Sequence, residues 1–106
     1  MKAPEYFENK IDMLRSELYS EINELVSNVQ KDNKRRMIYP NGPVEIAFCN
    51  ESSEKFEPHK IKDILIDDKG VCIYPESSEY LPFELTDIIN VHDLMLLKSI
   101  IEQQMH

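Results

Sequence analysis

The stretch Phe7-Glu-Asn-Lys-Ile11-Asp-Met-Leu14-Arg-Ser-Glu-Leu18-Tyr-Ser-Glu-Ile22-Asn-Glu-Leu25-Val-Ser-Asn-Val29 places apolar residues at steps of four and three. That spacing returns to one face of an α-helix, so it predicts a single long helix over residues 1–33. Pro4 suits a first helical turn, Glu5 and Glu8 complement the positive end of the dipole, and no Gly or Pro interrupts the run before Asn33. At 1.5 Å per residue such a helix is about 45 Å long. A compact chain of this size has a radius of gyration of only about 13 Å. The apolar stripe therefore outruns what its own domain is expected to cover, and a second copy of the chain is the expected cover.

Tyr19 and Val26 widen the stripe around Leu18, Ile22, Leu25 and Val29, so the second half of the helix is expected to be the better buried half. Phe7 to Val29 spans 22 residues in six steps, about 3.67 each, nearer an eleven-residue repeat than a heptad. A nearly straight helix in a bundle or antiparallel pair is favoured over a long left-handed coiled coil. The residues expected at an oligomer interface are Phe7, Ile11, Leu14, Leu18, Ile22, Leu25 and Val29.

Lys31-Asp-Asn-Lys-Arg-Arg36 follows the helix and carries four of the twelve Lys and Arg residues. Cations there complement the negative end of a helix dipole. The alternative is a nucleic-acid patch of Lys31, Lys34, Arg35 and Arg36, presented twice by a dimer. That run lacks interleaved aromatics. With 20 acidic against 12 basic residues the chain carries a formal charge of −8, which argues against a partner bound through phosphates.

The middle of the chain, residues 37–83, reads as antiparallel sheet. Met37, Ile38 and Tyr39 precede the turn Pro40-Asn-Gly-Pro43, after which Val44, Ile46 and Phe48 alternate with Glu45 and Ala47. Asn50 to Lys60 is polar, contains Ser52, Ser53 and Pro58, and reads as a long loop. Ile61–Ile66 and Val71–Tyr74 flank Asp67-Asp-Lys-Gly70, where Gly70 supplies the positive φ that closes a short hairpin. The turn at Gly42 is expected to tolerate alanine, and Gly70 is not expected to tolerate valine. Tyr80-Leu-Pro-Phe83 reads as a short edge segment, because Pro82 cannot donate to a ladder.

The end returns to helix over residues 90–104. Asn90 is the expected N-cap, with Asp93 completing a variant capping box. Leu94, Leu97 and Ile101 form one stripe and Leu96 with Ile100 a second, so cover is needed on more than one side. The whole predicts an α+β domain over residues 1–106: a long N-terminal helix, three or four antiparallel strands, and a C-terminal helix.

Motifs for chemistry are sparse. Asp67-Asp68 lacks the ligand spacing of a calcium loop and reads as turn chemistry. His59, His92 and His106 show no metal-ligand spacing, and His92 and adjacent Asp93 point in different directions on a helix. With only Gly42 and Gly70 there is neither a nucleophile elbow nor a glycine-rich phosphate loop. Cys49 and Cys72 sit among apolar residues, where a thiol pKa rises rather than falls, and they read as small buried hydrophobes. A disulfide requires that they fall on adjacent strands. No cofactor and no metal is expected, and a small hydrolase or transferase ranks third among the functions considered.

The N-terminus has no apolar core of a secretory signal, and no stretch approaches the roughly 18 apolar residues of a membrane span. A cytoplasmic protein is expected.

The order Ile64-Leu-Ile-Asp-Asp-Lys-Gly-Val-Cys-Ile-Tyr74, then Leu81-Pro-Phe-Glu-Leu85, then a helix with Asp93-Leu and Ile100-Ile-Glu102 resembles small uncharacterised bacterial α+β proteins. The resemblance covers residues 61–104. It implies a hairpin, a Leu-Pro turn and a closing Leu-rich helix, and it brings no activity or site. The expected function is a small cytoplasmic interaction module that self-associates through its long helix, a dimer being the simplest form, with a further protein partner of unknown identity. The alternative is the nucleic-acid-associated regulator.

Overall fold

The computed structural model describes residues 3–32, 35–50 and 53–104, the side chains of 3–9 and 53–54 lying outside the description. Helix α1 runs over Ala3–Asp32 without interruption. Five strands follow: β1 (Arg36–Ile38), β2 (Glu45–Asn50), β3 (Ser53–Asp67), β4 (Gly70–Pro75) and β5 (Phe83–Glu84). A 3-10 turn at Leu85–Asp87 leads to helix α2 (Val91–Gln103). The α+β architecture is the one the hydrophobic periodicities predict, with one strand more than the upper expectation.

That extra pairing comes from β3. Its residues 64–66 are paired on both edges, by β1 (Ile38↔Ile64) and by β4 (Ile64↔Ile73). Farther back, β2 lies against the same strand through Ile46↔His59 and Phe48↔Glu57. The expected loop 50–60 is thus corrected: of its described residues, 53–60 are strand. The polar composition is explained by location, since Lys55, Phe56, Glu57 and Pro58 are exposed. Pro58 is tolerated because it faces Ala47, whose own N–H leaves the ladder and donates to the Asp93 carboxylate (3.1 Å). Met37–Ile38 and Val44–Phe48 do not pair with each other across the Pro40–Pro43 turn. Both use β3.

The core lies between one face of this sheet and the two helices. Ile38, Ile64, Ile66 and Ile73 from the sheet, Ile22, Val26 and Val29 from α1, and Leu94, Leu97 and Ile101 from α2 form one buried cluster. Phe48 and Phe83 stack within it, ring centroids 4.1 Å apart and nearly parallel. His59 is buried beside them, 4.5 Å edge-on from Tyr80 and 5.2 Å from Phe83. Its place inside an aromatic cluster was hidden by the polar run around it.

Local signals placed most chain reversals. The β3–β4 hairpin turns through Asp68 and Lys69, with Asp67 Oδ1 accepting from the Lys69 N–H (2.9 Å) and Gly70 at φ +122°. The acidic pair is therefore turn chemistry at Asp67, as expected. Gly42 is a correction: its φ is +96°, so its turn also needs a left-handed residue. Space is open around both glycines, so substitutions there meet backbone strain rather than a clash. Gly70→Val is expected to cost about 2 kcal/mol and Gly42→Ala about 1 kcal/mol in urea denaturation, from strain of roughly 1–2 kcal/mol at positive φ and the added stiffness of a β-branched side chain. Equal midpoints for wild type and Gly70→Val would show that the hairpin relaxes at no cost.

Asn90 caps α2 as expected, accepting from the His92 N–H (2.9 Å). Asp93 does not close a capping box with it, because its carboxylate is engaged by Ala47 on β2. Nor do His92 and Asp93 form a pair. A similar acidic contact sits one element earlier, where Asp87 Oδ2 accepts from the Glu84 N–H (2.8 Å).

Candidate functional site

Helix α1 divides into two halves by burial. Ile22, Val26 and Val29 are in the chain's own core, and Leu18, Tyr19 and Leu25 pack against it partly buried. One turn earlier the cover ends: Leu14 is 41 % exposed and Ile11 45 %. Phe7 lies outside the described side chains. Of the seven residues expected at an interface, Ile22 and Val29 are buried in the chain's own core, Leu18 and Leu25 are partly buried against it, and Ile11 and Leu14 are exposed.

The helices run in the same direction, since Arg15 reaches Ile89 just before α2 while Glu21 reaches Lys98 farther along both. Arg15 Nε donates to the Ile89 carbonyl (2.9 Å) and its guanidinium also meets Asp12 (3.0 Å). The Tyr19 hydroxyl donates to the Ile88 carbonyl. Residues of α1 before Arg15 therefore extend past the start of α2. The longest dimension of the molecule, 49 Å, is close to the length of α1 itself.

Between the helices is a cleft of about 450 Å³ with Leu14, Leu18, Val91 and Met95 as its apolar surface. Glu17, Glu21, Glu102 and Lys98 form its rim. Lys98 pairs with Glu21 at 2.8 Å, and that hydrogen bond holds its ammonium pKa above the ordinary lysine value. Met95 is 54 % exposed, which extends the apolar strip of α1 onto α2. Dense aliphatic spacing made α2 legible as a covered helix; only the relative placement of the helices creates the cleft.

Burial raises the Tyr19 phenol above its ordinary pKa of 10.0, with Arg15 opposing and Asp87 adding to the rise. The protonated phenol is the form that donates to Ile88, so its stabilisation is complete below pH 10 and is lost as pH climbs through the higher folded value. Tyr19→Phe is expected to lower stability at neutral pH by about 1 kcal/mol and to flatten the alkaline loss. Urea midpoints against pH decide this; parallel curves for the two proteins would refute it.

The basic run is split by the fold. The Arg36 guanidinium donates to the Gln104 carbonyl at the end of α2, where a cation complements the helix dipole. Lys31 and Arg35 are exposed, and Lys34 lies outside the described residues. No disulfide joins Cys49 to Cys72, and each is partly buried. Among the described residues no group of three His, Cys, Asp or Glu is placed to hold a metal ion, and no helix is long and apolar enough to cross a membrane.

Comparison with protein-family models, with curated proteins and with solved structures finds no significant match.

Proposed function

We propose that this chain is a small interaction module that self-associates through the N-terminal half of α1 and the adjoining α1–α2 cleft. The observation that carries this reading is the change of environment along one apolar stripe, from Ile22 fully buried to Leu14 and Ile11 nearly half exposed. Large side chains of this kind each gain about 1.5–3 kcal/mol on full burial, so a partner that covers them is favoured. Leu18, Val91 and Met95 continue the strip and provide a concave seat beside it. A two-fold arrangement uses the same patch on both copies, and the self-complementary parts are the overhanging stripe and the cleft.

Sedimentation velocity at micromolar concentration tests this: wild type is expected to sediment as a dimer and Leu14→Glu as a folded monomer. Wild type sedimenting as a folded monomer throughout would overturn the proposal. The nucleic-acid reading is less supported, because Arg36 is engaged with Gln104 and the chain's charge is −8. Tight, salt-sensitive binding of wild type to duplex or single-stranded probes would restore it.

A further inference from the structure

The face of the sheet turned away from the helices carries a second feature, independent of self-association. Side chains alternate along strands, so with Ile64 and Ile73 in the core, Asp63 on β3 and its cross-strand neighbour Tyr74 on β4 belong to the opposite face. The register shifts between Ile61 and Asp63. Asp63 and Tyr74 border a cleft of about 370 Å³ together with Met37, Tyr80, Pro82 and Glu76.

Asp63 is only 9 % exposed. Among the described residues its carboxylate takes part in no ion pair and accepts no hydrogen bond. Nor is any fully buried side-chain oxygen left without a partner among those residues, so the Asp63 oxygens are not sealed in the protein, and Asp63 lines the cleft. A carboxylate largely withdrawn from water gains most from a cation or donor placed directly on it. The carboxylate also acts on Tyr74, whose phenol pKa is raised first by its hydrogen bond with Cys72 and, less strongly, by the charge of Asp63, with the Arg35 charge opposing. Lys62 borders the same cleft and the Arg35 charge acts on Tyr74 from nearby, but both are exposed to water and neither makes an ion pair with Asp63 among the described residues. Tyrosine rings attract cations through their faces, and Met37 and Pro82 offer apolar surface for a hydrocarbon stem.

From this arrangement we infer that the cleft over Asp63 binds a primary alkylammonium group, its head on the Asp63 carboxylate and its stem along Met37, Tyr74, Tyr80 and Pro82. The same chemistry is presented by a free alkylamine and by a lysine side chain of a peptide. The source is distinguished by comparing n-pentylamine with Nα-acetyl-lysine N-methylamide.

The test is an NMR titration of the full chain, wild type and Asp63→Asn, with each amine and with the Nε-acetylated lysine amide as a neutral probe. Saturable shifts are expected around residues 63, 74 and 80, with at least a tenfold affinity loss in Asp63→Asn, none in Asp68→Asn, and no response to the neutral probe. Stronger binding of the lysine amide assigns a peptide side chain, and stronger binding of pentylamine a free amine; either supports the site. Absence of saturable shifts in wild type would overturn the inference. So would shifts that persist unchanged in Asp63→Asn, which is the signature of diffuse attraction to a chain of charge −8. If Asp63→Asn does not fold, Tyr74→Leu carries the same test: at least threefold weaker amine binding is expected, and unchanged affinity would overturn the inference.

Discussion

Phe83→Ala is expected to destabilise the protein by about 3–5 kcal/mol, a large part of the roughly 5–15 kcal/mol that holds a domain of this size together. Strand β5, which carries Phe83, is paired to β4 at only two positions, Cys72↔Glu84 and Ile73↔Phe83. So short a strand is held mainly by its side chain. Phe83 is fully buried, stacked on Phe48 at 4.1 Å and packed on His59 at 5.2 Å. Truncation opens a cavity between these rings and loosens the approach to Leu85 and Ile88, both in the same core. Urea denaturation reads the effect, with Phe56→Ala as the comparison, since Phe56 is 44 % exposed and its loss is expected to cost under about 1 kcal/mol. A Phe83→Ala midpoint within the range of Phe56→Ala would mean that the aromatic stack contributes little.

The same charge introduced at two positions of one helical stripe is expected to give opposite outcomes. Ile22 is 0 % exposed, and a glutamate there is a buried charge without a partner, so Ile22→Glu should abolish folding. Leu14 is 41 % exposed, and a glutamate there can reach water in the isolated chain. Leu14→Glu should retain the wild-type far-UV spectrum and a melting temperature close to that of wild type measured under monomeric conditions, while losing self-association. Circular dichroism and sedimentation separate the two effects. A Leu14→Glu protein that stays dimeric would exclude the N-terminal half of α1 from the interface. An Ile22→Glu protein that folds normally would contradict the burial of the stripe in the core.

The elements that could be read without the structure are those whose cause is local. Helix α1 follows from contacts three and four residues apart, the β3–β4 hairpin from Gly70 at positive φ beside an Asp67 side chain bonded two residues on, and the start of α2 from Asn90 holding the His92 N–H. Each depends on a handful of neighbouring residues, so composition and spacing determine it. Even the better burial of the later half of α1 was visible in the widening of its apolar face.

Tertiary structure decided what depends on partners far along the chain. Residues 53–60 are polar and carry a proline, and they are strand because β2 lies beside them. Asp93 would close a local cap by sequence alone, and instead it takes the Ala47 N–H, 46 residues away. Arg36 looked like part of a basic patch, and it reaches the Gln104 carbonyl, 68 residues away. Gly42 looked replaceable, because the type of its turn is set by how the chain passes from β1 to β2 along β3. The cleft between α1 and α2 and the near-burial of Asp63 arise in the same way. A local pattern fixes which face a residue occupies, but its burial and its hydrogen-bond partner depend on which distant segment is packed over that face, and those contacts form only when the sheet and helices assemble.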